Sequence, residues 1–227
     1  MNEIQKRIEQ IAKKRKNRLE GKYNCIPFYH HFPRLSKYIP GLFKGCLYTI
    51  LSGTGIGKSK FARYLNIILP YEIKKKNSKF KYRVIFFSLE ESKEEFIDNM
   101  IVYVLKLYFK ISIDVLHLNS MYENTFDEAT LEAIRKTSEY VQDMLQNVDI
   151  IDTIDNPTGM YFYCKEVSQN LGTHHYKTLN IHGKDTKVYS HYVPNDPEEY
   201  VIVVADHIGL LSEETDRESG RRLQLAE

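Results

Sequence analysis

Between the apolar stretch Tyr48-Thr49-Ile50-Leu51 and the dipeptide Lys58-Ser59 the chain runs Ser52-Gly53-Thr54-Gly55-Ile56-Gly57. Glycine at 53, 55 and 57 strips Cβ from the loop and opens positive φ, so successive N–H groups can turn inward and line a concavity suited to an anion. A helix expected over Lys58–Leu69 presents the positive end of its dipole to the same place. Lys58 stands within reach of the outer phosphates of a nucleotide, and Ser59 offers a hydroxyl to magnesium. The pattern G-x-x-x-x-G-K-[ST] is met except at its first position, where Ser52 stands with Gly53 beside it. The expected nucleotide-binding set is Ser52, Gly53, Thr54, Gly55, Ile56, Gly57, Lys58, Ser59 and Lys60, with ATP and Mg2+ as ligands. Strand, loop and helix in that order form a piece of an α/β fold, which frames the reading of the remaining chain.

From Gly45 onward strand-length apolar runs alternate with helical periodicities, the signature of a mainly parallel sheet flanked by helices. Strands are expected at Leu47–Leu51, Tyr82–Ser88, Val148–Thr153 and Tyr200–Ala205. Helices are expected at Lys58–Leu69, Lys93–Phe109, Phe126–Gln146 and Met160–Leu171. Phe96, Met100, Val104 and Leu107 recur on one helical face and read as core. His182 to Pro197 breaks the alternation, with turn formers around Lys187–Val193, and reads as an exposed hairpin or insertion before the last strand. Ahead of all this, Asn2 to Leu19 patterns as a helix with Ile4, Ile8 and Ile11 on one stripe amid Lys6, Arg7, Lys13, Lys14, Lys16 and Arg18. One stripe needs one partner surface, on its own domain or on a neighbouring subunit. The expected division is a linker helix over 1–22 and an ATPase core over 23–227.

Two further apolar runs close on carboxylates. Tyr200-Val201-Ile202-Val203-Val204-Ala205 ends in Asp206, the position from which such folds hold a nucleotide-bound magnesium. In open α/β sheets ligands gather outside the carboxyl ends of the strands, where Asp206 is expected to meet the phosphate loop. Tyr82 to Leu89 ends in Glu90 and Glu91; Glu90 is placed to orient or deprotonate an attacking water, and Glu91 to cap the next helix. His207, directly after Asp206, is a candidate sensor of the γ-phosphate. The run Lys74, Lys75, Lys76, Lys79 and Lys81 reads as a solvated connection.

A length of 227 residues with 42% hydrophobic content suits one well-packed α/β domain with an appendage. The longest apolar runs are strand length, far below the roughly 20 residues that span a bilayer, and the charged N-terminus lacks the apolar core of a secretory signal. Cys25, Cys46 and Cys164 show no paired spacing, so a reducing, cytoplasmic compartment is expected, and Cys25, His30, His31 and Cys46 lack the C-x-x-C of a zinc site. A net charge of +2 makes any nucleic-acid surface a local one.

Taken in order, Phe32-Pro33-Arg34-Leu35, Ile39-Pro40-Gly41-Leu42-Phe43-Lys44-Gly45, the phosphate loop, Phe86-Phe87-Ser88-Leu89-Glu90, Asp155-Asn156-Pro157-Thr158-Gly159 and Val204-Ala205-Asp206-His207-Ile208-Gly209-Leu210-Leu211 resemble the RecA-like motor domain of DnaB-type replicative helicases, especially bacteriophage forms. The resemblance spans Tyr23 to Glu227. It implies a RecA-like P-loop NTPase in which Lys58 and Ser59 bind triphosphate and magnesium, Glu90 is the catalytic glutamate and Asp206 coordinates the metal through water. It further implies that the N-terminal helix packs on the next protomer of a ring, expected to be a hexamer, and that single-stranded DNA is the track. Ser212–Arg222 falls where the family places a DNA-contacting loop, making Arg217, Arg221 and Arg222 candidate phosphate contacts, with Glu213, Glu214 and Asp216 offsetting their charge. The family places its last core strands, its γ-phosphate reporter and its arginine finger beyond the point matched by Glu227. This chain alone is therefore expected to be a weak or inactive ATPase, with a second chain as a possible source of the missing part. Rival readings on the same fold are a recombinase and an ATP-binding regulatory or oligomerisation module.

Overall fold

The computed structural model describes residues 2–20, 25–123, 125–181, 184–212, 214–215 and 222–223. The chain divides into two compact units, Met1–Tyr82 and Arg83–Glu227.

In the first unit, helix α1 spans Glu3–Leu19 and opens on a capping box: the Asn2 side chain accepts from the Gln5 N–H, and the Gln5 side chain accepts from the Asn2 N–H. No residue of α1 is buried, and its isoleucine stripe stays more than half exposed. Strands β1 (Ile26–Pro27) and β2 (Gly41–Leu42) pair antiparallel so closely that a Cβ at Gly41 would strike the Ile26 carbonyl oxygen. The Tyr48 hydroxyl holds this turn, donating to the Gly41 carbonyl at 3.2 Å and accepting from the Phe43 N–H at 2.9 Å.

Two expectations change here. Leu47–Leu51 forms no strand: it takes no regular secondary structure, and Leu47 and Leu51 are 93% and 87% exposed. A strand is stabilised by a neighbour that accepts its main-chain groups, and among the described residues no strand pairs with this segment. The helix after the loop, expected to stop at Leu69, continues to Lys76. Helix α2 (Lys58–Arg63) widens into a π turn over Tyr64–Ile68 and resumes as α3 (Leu69–Lys76). Pro70 has no N–H and crowds the preceding turn, and the wider turn just before it lets the helix pass through. Lys74, Lys75 and Lys76 thus occupy a last helical turn, where the dipole favours cations, and Lys74 and Lys75 lie over the rings of Tyr82 and Tyr71.

The second unit carries the sheet. β3 (Tyr82–Ser88, its first residue closing the first unit), β4 (Val148–Ile151) and β7 (Tyr200–Asp206) form a three-stranded parallel sheet in the order β4-β3-β7. β3 pairs with β4 in the register Val84↔Val148 to Phe87↔Ile151. Helix α4 (Lys93–Val104) continues through a π turn over Leu105–Phe109; α5 (Val115–Leu118) and α6 (Glu128–Leu145) follow. Phe96 of α4 meets Phe86 edge-on at 5.0 Å, covering one face of the sheet. On the other face α7 (Pro157–Leu171) sets Met160, Tyr163, Cys164 and Val167 against Ile85, Phe87 and Ile151. β3 is therefore buried on both sides, as its apolar run Val84–Phe87 requires. β7 is not: Val201 and Val203 remain 47% and 55% exposed.

The break in alternation before β7 is an antiparallel hairpin, β5 (Gly172–Ile181) and β6 (Lys184–Pro194). The turn expected around Lys187–Val193 is strand; the pairing runs on to Ile181↔Lys184, and residues 182–183 lie outside the described residues. A short antiparallel pair, β8 (Glu214–Thr215) with β9 (Arg222–Leu223), follows β7.

Candidate functional site

The glycine-rich segment Ser52–Ser59 lies in the first unit. Gly55 and Gly57 hold φ of +74° and +92°, a region costly for residues with a Cβ, and a Cβ built on either would enter open space. The glycines are thus needed for backbone direction, while the room beside them is left to a ligand. Gly57 is the N-cap of α2 and brings no side-chain hydrogen bond to that end, so no side chain competes with an anion for the first N–H groups of the helix. The Lys58 ammonium donates to the Ser52 carbonyl at 3.4 Å, lying across the loop it would share with a phosphate. Thr54, Ile56 and Lys60 face solvent, and Ser59 is half-buried in the first turn.

Behind the loop, Phe32 meets Phe61 and Tyr64 edge-on, each at 5.4 Å, and His31 shares a 2.7 Å hydrogen bond with the Tyr64 hydroxyl. The Phe-Pro-Arg-Leu segment thereby braces the helix that begins at the loop. Burial holds the His31 imidazole below its ordinary range, aided by the Lys76 charge, and pushes the Tyr64 phenol up.

The carboxylates belong to the second unit. β3 and β7 are neighbours, yet the chain reaches β7 only after placing β4 on the other side of β3. The strand order therefore reverses beside β3, the position at which open α/β sheets bind ligands. There the Leu89 N–H donates to the Asp206 carbonyl at 2.9 Å, which brings Glu90 and Asp206 to adjacent strand ends. Glu90 is exposed, Asp206 is half-buried, and the Asp206–His207 peptide is cis. The ring of His207 lies close over Gly209, where a Cβ would come within 3.1 Å of it.

Glu91 does not cap α4. Ser92 is the N-cap, in a capping box with Glu95, and the Glu91 carboxylate accepts instead from Asn99 at 3.3 Å. The reason is spacing: the carboxylate that closes a capping box stands three residues beyond the cap, a place Glu95 fills.

Two acids missed in the sequence sit on the same rim. Asp152, just past β4, accepts from the Lys93 N–H at the start of α4 at 2.7 Å. Asp155 accepts from the Ser212 hydroxyl, and its carbonyl accepts the Ser212 N–H at 2.7 Å, fastening the segment after β4 to the segment after β7. That hydroxyl holds the Asp155 carboxyl below its usual range. The following motif is structural. Asn156 caps α7 by accepting the Gly159 N–H at 2.7 Å, Pro157 fills the first turn, and a Cβ at Gly159 would come within 2.7 Å of Ile154. Asn-Pro before an apolar run signals that cap in the sequence; nothing in local spacing signals Ser212, 57 positions from its partner.

Arg217 and Arg221 lie outside the described residues, and Arg222 is described only as the backbone partner of Thr215. No described helix is long and apolar enough to cross a membrane. No family model, curated protein or solved structure matches the chain.

Proposed function

We infer that the chain is the nucleotide-hydrolysing motor portion of a DnaB-type, RecA-like DNA helicase. One observation carries the reading: a loop turned by two positive-φ glycines runs directly into an uncapped helix start, with Lys58 lying across it. That arrangement suits a triphosphate, whose oxygens take the N–H groups and the ammonium together. The resemblance assigns a hard cation to the Ser59 hydroxyl, with the Asp206 carboxylate holding it through water. Magnesium bound there would neutralise charge on the triphosphate. Glu90 is the group that would hold the attacking water and take its proton; its exposed carboxylate needs only hydrogen-bond reach of that water.

The helicase assignment rests on the resemblance of the strand ends Ser88-Leu89-Glu90 and Asp206-His207-Ile208 to that family and is supported by their lying side by side. Ring assembly is the reading in which the uncovered stripe of α1 finds a surface on a neighbouring protomer, and single-stranded DNA is the expected track. Lys58→Ala should abolish binding of a fluorescent ATP analogue. Equal binding by the variant and the parent would refute the loop assignment. Strand displacement on a forked duplex by the assembled protein separates a helicase from a recombinase or a non-hydrolysing module.

A further inference from the structure

We propose that the β5–β6 hairpin is a contact for single-stranded nucleic acid, with Tyr176 and Tyr189 as the base-stacking platform and Lys177, Lys184 and Lys187 as the phosphate contacts. The cross-strand register places His174 opposite Tyr192, Tyr176 opposite Tyr189 and Thr178 opposite Lys187 on one face, while His175, Lys177 and Lys184 share the other with His191 and Val188. On the first face the rings run in sequence: Tyr192 to His174 at 5.0 Å, His174 to Tyr189 at 5.9 Å, Tyr189 to Tyr176 at 6.2 Å.

The inner end of that column is anchored. Ser168 of α7 bonds the His174 ring at 2.7 Å, and the Tyr192 hydroxyl donates to the Ser168 carbonyl at 3.1 Å. The outer end is not covered: Tyr176 and Tyr189 are each 51% exposed. Rings fixed at one end and open at the other offer π faces without the entropy cost of ordering them, and bases of any identity stack on such faces.

Charge selects the partner. All three lysines are exposed, and among the described residues none is ion-paired. Asp185, the one acid of the hairpin, is engaged by the Asn180 side chain at 3.0 Å. Lys187 shares the tyrosine face while Lys177 and Lys184 line the other, and a local excess of cations on a hairpin with exposed rings fits a polyanion with exposed bases better than an apolar protein face. The bulge between His175 and Tyr176 turns the outer rings relative to the anchored ones, a common device for re-aiming side chains.

The contact rests on the helicase reading only for its choice of nucleic acid, and its test needs no nucleotide. The whole chain is titrated against a labelled oligothymidylate about 20 nucleotides long, followed by fluorescence anisotropy. Tyr176→Leu with Tyr189→Leu should weaken binding by about 10-fold or more, whereas Tyr176→Phe with Tyr189→Phe should stay within about 2-fold, because the π face is kept. Lys177→Gln, Lys184→Gln and Lys187→Gln together should flatten the slope of log affinity against log salt by about 2, at roughly 0.7 for each lost phosphate contact. Matching far-UV circular dichroism and unchanged ATP-analogue binding show that the variants are folded and keep the outcome separate from the Lys58 experiment. A parent that binds no oligonucleotide, or a leucine pair that binds as well as the parent, overturns the proposal. So does a leucine pair that loses self-association alone, which marks the hairpin as a protein-facing surface.

Discussion

Glu90 and Asp206 differ in setting although they close adjacent strands. Glu90 is exposed to solvent, whereas Asp206 is half-buried and its carbonyl accepts from Leu89. The expected division of labour follows: Glu90→Gln should leave ATP-analogue affinity within about 3-fold while phosphate release with single-stranded DNA falls by about 10²–10⁴, the usual worth of a general base. Asp206→Asn should raise the magnesium concentration needed for binding as well. Phosphate release unchanged by Glu90→Gln in the assembled protein would remove Glu90 from the chemistry. A second residue-scale expectation concerns His31, whose folded-state pKa is depressed below the ordinary 6.5, mainly by burial. Below that value the unfolded chain takes up the proton more readily than the folded one. The stability is therefore full above about pH 6.5 and is lost as pH falls below it toward the folded value. Urea midpoints at pH 7.5 and 5.5 should differ for the parent, and His31→Gln should narrow that gap while keeping a partner for Tyr64. An equal gap in both proteins would show that other groups set the dependence.

The elements that frame the site differ in how visibly the sequence writes them. β3 was legible at its bounds because both of its faces are buried, which makes Val84 to Phe87 continuously apolar. The glycine-rich loop and the two strand-end carboxylates are visible in the sequence because each is local, a few residues following a run. What depends on a partner is not. Leu47–Leu51 has strand composition but no described strand to pair with, and β5 has few apolar residues and is largely exposed, which leaves no inside-outside contrast to read. The passage of the helix through Pro70 relies on a wider turn that periodicity cannot show. The α7 cap can be tested in isolation. Asn156→Ala removes the acceptor for the Gly159 N–H and should cost about 1 kcal/mol. That corresponds to roughly 2–4 °C in the thermal midpoint for a chain of this size. Asn156→Asp should recover most of it, and no shift in the alanine variant would mean that water satisfies that helix end equally well.

At the scale of the molecule, what remains uncovered matters as much as what is packed. The first unit leaves Ile4, Ile8 and Ile11 of α1 at 70%, 60% and 54% exposure, and the second leaves Val201 and Val203 half open along β7. An amphipathic helix with no buried residue has its apolar stripe available to another copy of the chain. Fully burying three isoleucines is worth about 1.5–3 kcal/mol each. Association costs on the order of 4–15 kcal/mol in lost freedom, so the stripe alone predicts weak, concentration-dependent assembly that further contacts within a ring would strengthen. Sedimentation velocity over a concentration series should show species larger than the monomer. Ile8→Glu with Ile11→Glu should shift them to monomer while circular dichroism keeps the helix, since glutamate is a good helix former. The β7 face is the competing cause, and Val201→Thr with Val203→Thr separates the two because threonine keeps the β-branched shape of the strand. Association that survives the α1 variant and disappears in the β7 variant would assign the contact to the sheet and leave α1 with no role in assembly.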